Sequence, residues 1–222
     1  MKAYWAKSEA GDNFGDVLTP LLFKRLRGIH LEWSEREDAD LIAIGSLVDT
    51  IPRGYSGMVL GTGCMFDRYV ELEAAHVLAL RGVFTARLTG LRPPLLADLG
   101  LLAADLAPVV ARDVSVGTVR ADGDPRPSIG LALDPMGDAE ELIASAARCQ
   151  RIVSSSLHGL ILADALGIPN MWDPYPPVSD FKFRDYASAY GERIEPYRWR
   201  VADQVQVARK QAALREIMAT FA

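Results

Sequence analysis

Cysteine and histidine are scarce in this chain of 222 residues. Its two cysteines, Cys64 and Cys149, stand far apart. Two thiols at that separation make neither a disulfide framework nor a metal-ligand spacing, and a reducing cytoplasm is their simplest home. Only three histidines occur, His30, His76 and His158. Basic excess is missing too: 24 Lys and Arg stand against 29 Asp and Glu, a net charge of −5. That excludes a broadly basic nucleic-acid surface but leaves room for a local basic pocket. No apolar run reaches the roughly eighteen residues of a membrane span. The opening Met-Lys-Ala-Tyr-Trp enters a strand-like run directly, without a signal-peptide pattern. There is no fixed-period repeat, no low-complexity tract, and no Walker or dinucleotide glycine fingerprint. What is present is ordinary globular composition, 50% hydrophobic and 24% charged, in a chain long enough for one large domain or two small ones.

The stretch from Arg151 to Asp173 organises the rest. Ile152 and Val153 begin a β-branched run, Ser154, Ser155 and Ser156 follow, and His158-Gly159 leads into an apolar pattern that runs to Leu166. Gly167 stops that helix and a new extended run starts at Pro169. The stretch therefore predicts a βαβ unit with the serines and His158 on the turn from strand to helix. Ligands bind at such turns in open α/β sheets, because free backbone N–H groups and the positive helix end point outward there. Asp164 is the helix's only charge, so the helix is expected to be buried and to aim its start at one fixed point. Three hydroxyls there exceed what one N-cap needs and suit an anion such as phosphate. The competing reading is a histidine hydrogen-bonded in the rim of the sheet.

The chain opens with the same grammar. Residues 2–6 read as a strand, Gly11 to Asp16 as a glycine loop, and Val17 to Arg27 as a helix with leucines at helical spacing. Asn13 and Asp16 are both plausible N-caps, and Gly15 leaves the backbone open to a ligand. Three near-continuous apolar runs follow, Asp40–Gly45, Met58–Gly63 and His76–Gly82, as expected of strands covered on both faces. Arg81 closes the third, where it would fork onto an anion or form an interdomain salt bridge. From Ala107 to Pro127 periodicity fades, and this region is expected to join two halves, 1–107 and 108–222. Ser128–Leu133 predicts a strand and Asp138 caps a helix to Arg148. After a proline-rich loop, Lys182 and Arg184 are two apart. On an extended chain they would share one side, backed by Phe181 and Phe183 on the other. The last helix, about 202–221, reads as packing across a domain.

Asn13-Phe14-Gly15-Asp16, Arg81-Gly82 with Thr85, Ser154-Ser155-Ser156-Leu157-His158-Gly159 running on to Ala163-Asp164-Ala165 and Ile168-Pro169, and Phe181-Lys182-Phe183 with Asp185-Tyr186 together resemble the polysaccharide pyruvyl transferase family, in particular its exopolysaccharide-decorating, ketal-forming branch. The Ser-Ser-Leu-His-Gly block is the specific part. The resemblance implies an α/β fold of two Rossmann-like halves facing a cleft, in a GT-B-like arrangement; the second half is expected to be shortened here, because the region of about 107–127 is short and holds no histidine. It implies phosphoenolpyruvate as donor, no cofactor and no metal. The acceptor it implies is a sugar of an exopolysaccharide or cell-wall glycan, in some cases lipid-linked. The place expected is the cytoplasm, or the inner membrane surface for such an acceptor. His158 and Asp16 are the catalytic candidates, His158 as general acid or as a cation on phosphate. Asn13, Gly15, Arg81, Ser155, Ser156, Lys182 and Arg184 are the binding candidates. Where the family usually has Gly-Asp-Pro, this chain has Ala97-Asp98-Leu99, so only the aspartate carries over. The alternatives are a nucleotide-sugar glycosyltransferase and a non-catalytic glycan-binding relic.

Overall fold

Strand pairing in the computed structural model, which describes residues 1–7 and 11–221, separates the chain into two five-stranded sheets. The first contains β1 (Lys2–Tyr4), β2 (Glu32–Trp33), β3 (Leu41–Ile42), β4 (Met58–Leu60) and β5 (His76–Ala79). All its pairs are parallel, in the order β2-β1-β3-β4-β5. The second contains β6 (Gly117–Val119), β7 (Leu131–Leu133), β8 (Ile152–Ser154), β9 (Asn170–Trp172) and β10 (Trp199–Arg200). Its order is β10-β9-β8-β6-β7, with only β10 antiparallel. Numbered from its own first strand, the second sheet repeats the order of the first. Each sheet therefore reverses direction once beside its first strand, and such a reversal leaves a crevice at the carboxyl ends of the strands. The apolar runs read as strands lie where expected.

One expectation fails here. The stretch 107–127 is not all connection: Gly117, Thr118 and Val119 form β6, which pairs with β7 on one side and β8 on the other. Only three residues long, the strand carries no readable period. Its neighbours supply the hydrogen bonds that a Gly-Thr-Val segment does not specify by itself.

Helices pack against the sheets in two apolar clusters. In α1 (Phe14–Arg27), Phe14, Leu18, Leu22 and Phe23 are buried, and each such side chain contributes about 1.5–3 kcal/mol. Gly28 ends the helix in the left-handed conformation at φ 68°, with Lys24, Arg25 and Arg27 in the last turn. In α4 (Leu157–Ala165) seven residues are buried, from Leu157 round to Asp164, as its nearly all-apolar sequence requires. Its one charge is matched: Arg200 Nη1 donates to Asp164 Oδ1 at 2.9 Å. A 3₁₀ run, Leu99–Leu106, packs against α4 and α1, and α6 (Gln204–Ala219) crosses back over it, with Gln211 donating to the carbonyl of Leu101 at 3.0 Å. The same apolar cluster thus includes Leu41 and Leu60 of the first sheet and Ile152 of the second. The remaining helices are α2 (Val83–Thr89), α3 (Ala139–Ala147) and α5 (Phe181–Ser188).

Among the described residues, no helix is long and apolar enough to cross a membrane.

Candidate active site

The two crevices open into one cavity of 290 Å³. From the first sheet's reversal, between β1 and β3, come Ala6, Asn13 and Asp16 on one side and Gly45 and Ser46 on the other. From the second, between β6 and β8, come Arg120 and Asp122 after β6 and Ser156 and His158 after β8. Lys182 reaches in from α5.

Each side chain has a local reason for its place. Asn13 is the N-cap of α1: its Oδ1 accepts from Gly15 N at 2.9 Å, and its Nδ2 donates to Asp16 Oδ2 at 2.5 Å. Of the two cap candidates, Asn13 takes the role, which frees the Asp16 carboxyl for the cavity. Burial, with Asp12 as the next cause, pushes that carboxyl up from 3.8 to about 7, against the pull of Lys182. His158 sits in the first turn of α4, its side chain 13% exposed. Burial first, then Lys182 and Arg81, hold its imidazole down from 6.5 to about 3, so it is neutral near pH 7. Its ring lies over Gly15, where a Cβ would collide with Nδ1. Lys182 is lowered to about 8, chiefly by burial and then by Arg81, with Asp16 opposing. Gly15 therefore serves the site by making room for the imidazole.

Besides Gly15, which gives its space to the imidazole and does not line the cavity, three binding candidates are corrected. Arg81 does not face an anion. It is fully buried, Nε donates to Asp185 Oδ2 at 3.0 Å, Nη2 to the carbonyl of Cys64 at 2.5 Å, and Nη1 to Ser46 Oγ at 2.7 Å. Asp185 also accepts from Thr85 N and Thr85 Oγ1, and a Cβ at Gly82 would strike its backbone. The salt bridge between halves is thus the reading that holds. Arg184 is also outside the cavity, because residues 181–188 form α5 rather than an extended edge. Positions two apart on a helix point to different sides; Lys182 turns inward, while Arg184 is half-exposed and pairs with Asp180 at 3.2 Å. Ser155 is the third. Its hydroxyl donates to Asp124 Oδ2 at 2.7 Å and accepts from Ala121 N at 2.8 Å, so it braces the loop after β6. Ser154 is also engaged, donating to the carbonyl of Val119 at 3.0 Å. Of the three hydroxyls read as an anion cluster, only Ser156 lines the cavity.

Arg120, Asp122 and Ser46 line the cavity unforeseen. Arg120 follows the strand that sequence reasoning missed, so nothing marked it as a strand-end residue. Its Nη1 donates to Asp173 Oδ2 at 2.5 Å and its Nη2 to the carbonyl of Pro127 at 2.7 Å, while Nε is buried without a partner. Arg126 joins the same network through Asp124 and Asp173. Chemically the cavity offers two cations and a helix start, an imidazole, and carboxyls of which one titrates near neutrality. That set suits an anionic ligand and proton transfer. No group of three or more His, Cys, Asp or Glu among the described residues is placed to hold a metal ion.

Comparison with known proteins agrees with the motif. The family model described as "Polysaccharide pyruvyl transferase" matches residues 71–172. The chain is 28% identical to the Succinoglycan biosynthesis protein ExoV of Rhizobium meliloti (strain 1021), over 96% of this chain and 72% of that protein. It is 38% identical to the uncharacterized protein L143 of Acanthamoeba polyphaga mimivirus, over 29% of this chain and 23% of that one. No solved structure matches. The resemblance carried by Ser154–Gly159 and its neighbours is borne out: this chain is related to the polysaccharide pyruvyl transferase family, through residues 71–172.

Proposed function

We propose that the protein transfers the enolpyruvyl unit of phosphoenolpyruvate to two hydroxyls of one sugar in a bacterial exopolysaccharide or cell-wall glycan, giving a cyclic pyruvate ketal and free phosphate. The observation that carries this reading is the placement of Lys182, Arg120, His158 and Asp16 around one small cavity, in a chain whose family match is to pyruvyl transferases. The relative named for succinoglycan biosynthesis supports a polysaccharide as acceptor. In this reading the two parallel-rich sheets are the halves of a GT-B-like enzyme. At 290 Å³ the cavity falls just below the usual size of ligand pockets, about 300–1,000 Å³, which favours a three-carbon phosphate donor over a nucleotide sugar. No cofactor enters the proposal, and the setting is cytoplasmic, at the inner membrane surface where the acceptor is lipid-linked.

In this reading Lys182, Arg120, Ser156 and the open start of α4 hold the donor's phosphate and carboxylate. His158 gives a proton to the methylene carbon, which becomes the methyl group. The cationic centre left at the neighbouring carbon is attacked by one sugar hydroxyl, held by Asn13, as Asp16 takes its proton. The carbon–oxygen bond to phosphate breaks and phosphate leaves with the electron pair. The second hydroxyl then closes the ring and releases its proton. One proton has gone to carbon and two have come from hydroxyls, so the surplus leaves with phosphate. A neutral His158 becomes a proton donor because the arriving donor's negative charges oppose Lys182 and Arg81 and raise its proton affinity.

Phosphate release from phosphoenolpyruvate with a panel of acceptor glycans tests this. The His158→Ala variant is expected to lose about 10²–10⁴ in kcat. Unchanged turnover removes His158 from the chemistry. A wild-type protein that releases no phosphate with any acceptor, or is stabilised by nucleotide sugars and not by phosphoenolpyruvate, sinks the reading.

A further inference from the structure

Two buried polar atoms face each other without partners on the core side of the imidazole. His158 Nε2 and Asp98 Oδ2 are both shielded from solvent and both lack a hydrogen bond, and they stand 3.9 Å apart. Asp98 is completely buried. Its other oxygen, Oδ1, accepts from Gly100 N at 2.8 Å and caps the Leu99–Leu106 run. Gly100 also lies against the imidazole, where a Cβ would come within 3.6 Å of His158 Cδ2. On the opposite side of the ring, Nδ1 is turned to Gly15, in the first turn of α1 that brings Asp16 to the cavity. The imidazole, which itself lines the cavity, thus stands between a buried carboxyl group and the first turn of α1.

We propose that Asp98 is a positioning residue for His158: it accepts the Nε2–H, which leaves Nδ1 as the nitrogen that exchanges protons at the cavity. A neutral imidazole carries one donor and one acceptor, and the partner of one nitrogen decides which is which. A carboxylate accepts only, so it selects the Nε2–H tautomer. The present separation exceeds a hydrogen bond by about 1 Å, a gap that a small rotation of either side chain closes. Each atom gains by closing it, since a buried polar atom left unpaired is costly.

The charges around the ring give the arrangement its purpose. Lys182 from α5 and Arg81 from the end of β5 both disfavour an imidazolium. Asp16 faces the same cavity from α1. Asp98 sits behind the ring, itself faced by Arg81 and Asp185. Burial raises its carboxyl from 3.8 to about 6, with Arg81 and the Gly100 hydrogen bond pulling the other way. It is therefore largely ionised at neutral pH, available to steady an imidazolium when a donor anion draws a proton onto His158.

The role as proton donor rests on the pyruvyl-transfer reading, whereas the tautomer does not. Protein labelled with ¹⁵N-histidine reports the tautomer by NMR, with His158 identified by the signal lost in His158→Gln. The expected result is the Nε2–H tautomer in the wild type and, with phosphoenolpyruvate bound, a His158 pKa that falls by one unit or more in Asp98→Asn. Turnover of Asp98→Asn should fall about 10²-fold or more, as when the carboxylate behind a catalytic imidazole is replaced, with the acid limb of the pH profile displaced. An Nδ1–H tautomer in the wild type overturns the proposal, and needs no variant that folds. So does an Asp98→Asn protein whose His158 pKa and pH profile match the wild type. If no acceptor supports phosphate release but the tautomer and its dependence on Asp98 hold, the pyruvyl-transfer reading fails while the positioning role stands.

Discussion

Replacing Asp16 by asparagine should stabilise the protein while disabling it. The Asp16 carboxyl is raised from 3.8 to about 7, first by burial and then by Asp12. Between those two values the folded protein holds the proton more tightly than the unfolded chain does. Wild-type stability from this group is therefore present below pH 3.8 and lost as pH rises towards 7. The shift of about three units corresponds to about 4 kcal/mol of destabilisation above pH 7. Asparagine keeps the shape and keeps an oxygen that accepts from Asn13 Nδ2, but carries no charge to desolvate. The stability difference between Asp16→Asn and the wild type should thus be close to zero at pH 4 and climb to about 4 kcal/mol at pH 8. At about 2–4 °C per kcal/mol for a chain of this size, Tm rises by roughly 8–16 °C. The attraction of Lys182 is already contained in that net shift. Parallel urea titrations from pH 4 to 8 read the difference directly, and phosphate release reads the loss of activity, about 10²–10⁴ in kcat for a missing base. A difference that stays flat with pH, or a variant less stable than the wild type at pH 8, would refute the reasoning.

Two further substitutions separate fold from site. Gly15→Ala places a Cβ in the space of the His158 ring, so phosphate release should fall by about 10²-fold or more while far-UV circular dichroism stays that of the wild type. Arg81→Met leaves Asp185 buried without its partner and should cost about 3–5 kcal/mol in urea unfolding; normal stability with weakened phosphoenolpyruvate binding would return Arg81 to the anion site.

What the sequence made legible follows from how many constraints each segment carries. The strand Ile152–Ser154 and helix Leu157–Ala165 were readable because both are buried, and burial writes itself as unbroken apolar sequence. The segment Phe181-Lys182-Phe183-Arg184 was misread because it alternates apolar and basic residues, the signature of an extended edge. Its helical pattern shows only over a longer span. Phe181 and Asp185, four apart, both turn to the first half, where Phe181 meets Phe84 and Asp185 meets Arg81. Those partners lie about a hundred residues away, so no local window contains them. The serines show a related limit. Three hydroxyls at a helix start suggested an anion cluster, yet Ser154 and Ser155 satisfy groups on the strand and loop after β6. Composition counts donors, but only tertiary structure says which acceptors reach them first.

The repetition of strand order explains why the site is assembled from distant segments. Each sheet reverses beside its first strand, and each reversal leaves one loop after the first strand and one after the third to face the crevice. In the first half those loops bring Asn13 and Asp16, then Ser46; in the second they bring Arg120 and Asp122, then Ser156 and His158. The Asp16 carboxyl comes from the first half and the His158 imidazole from the second, so chemistry between them requires the halves to be held in register. The buried Arg81–Asp185 pair, the Phe14 N to Pro135 carbonyl bond at 2.6 Å, and the glycine at 15 that admits the His158 ring all lie across that junction. Arg81, which looks like a binding group in the sequence, is therefore accounted for as part of the means by which two similar folds present Asp16 and His158 to one cavity.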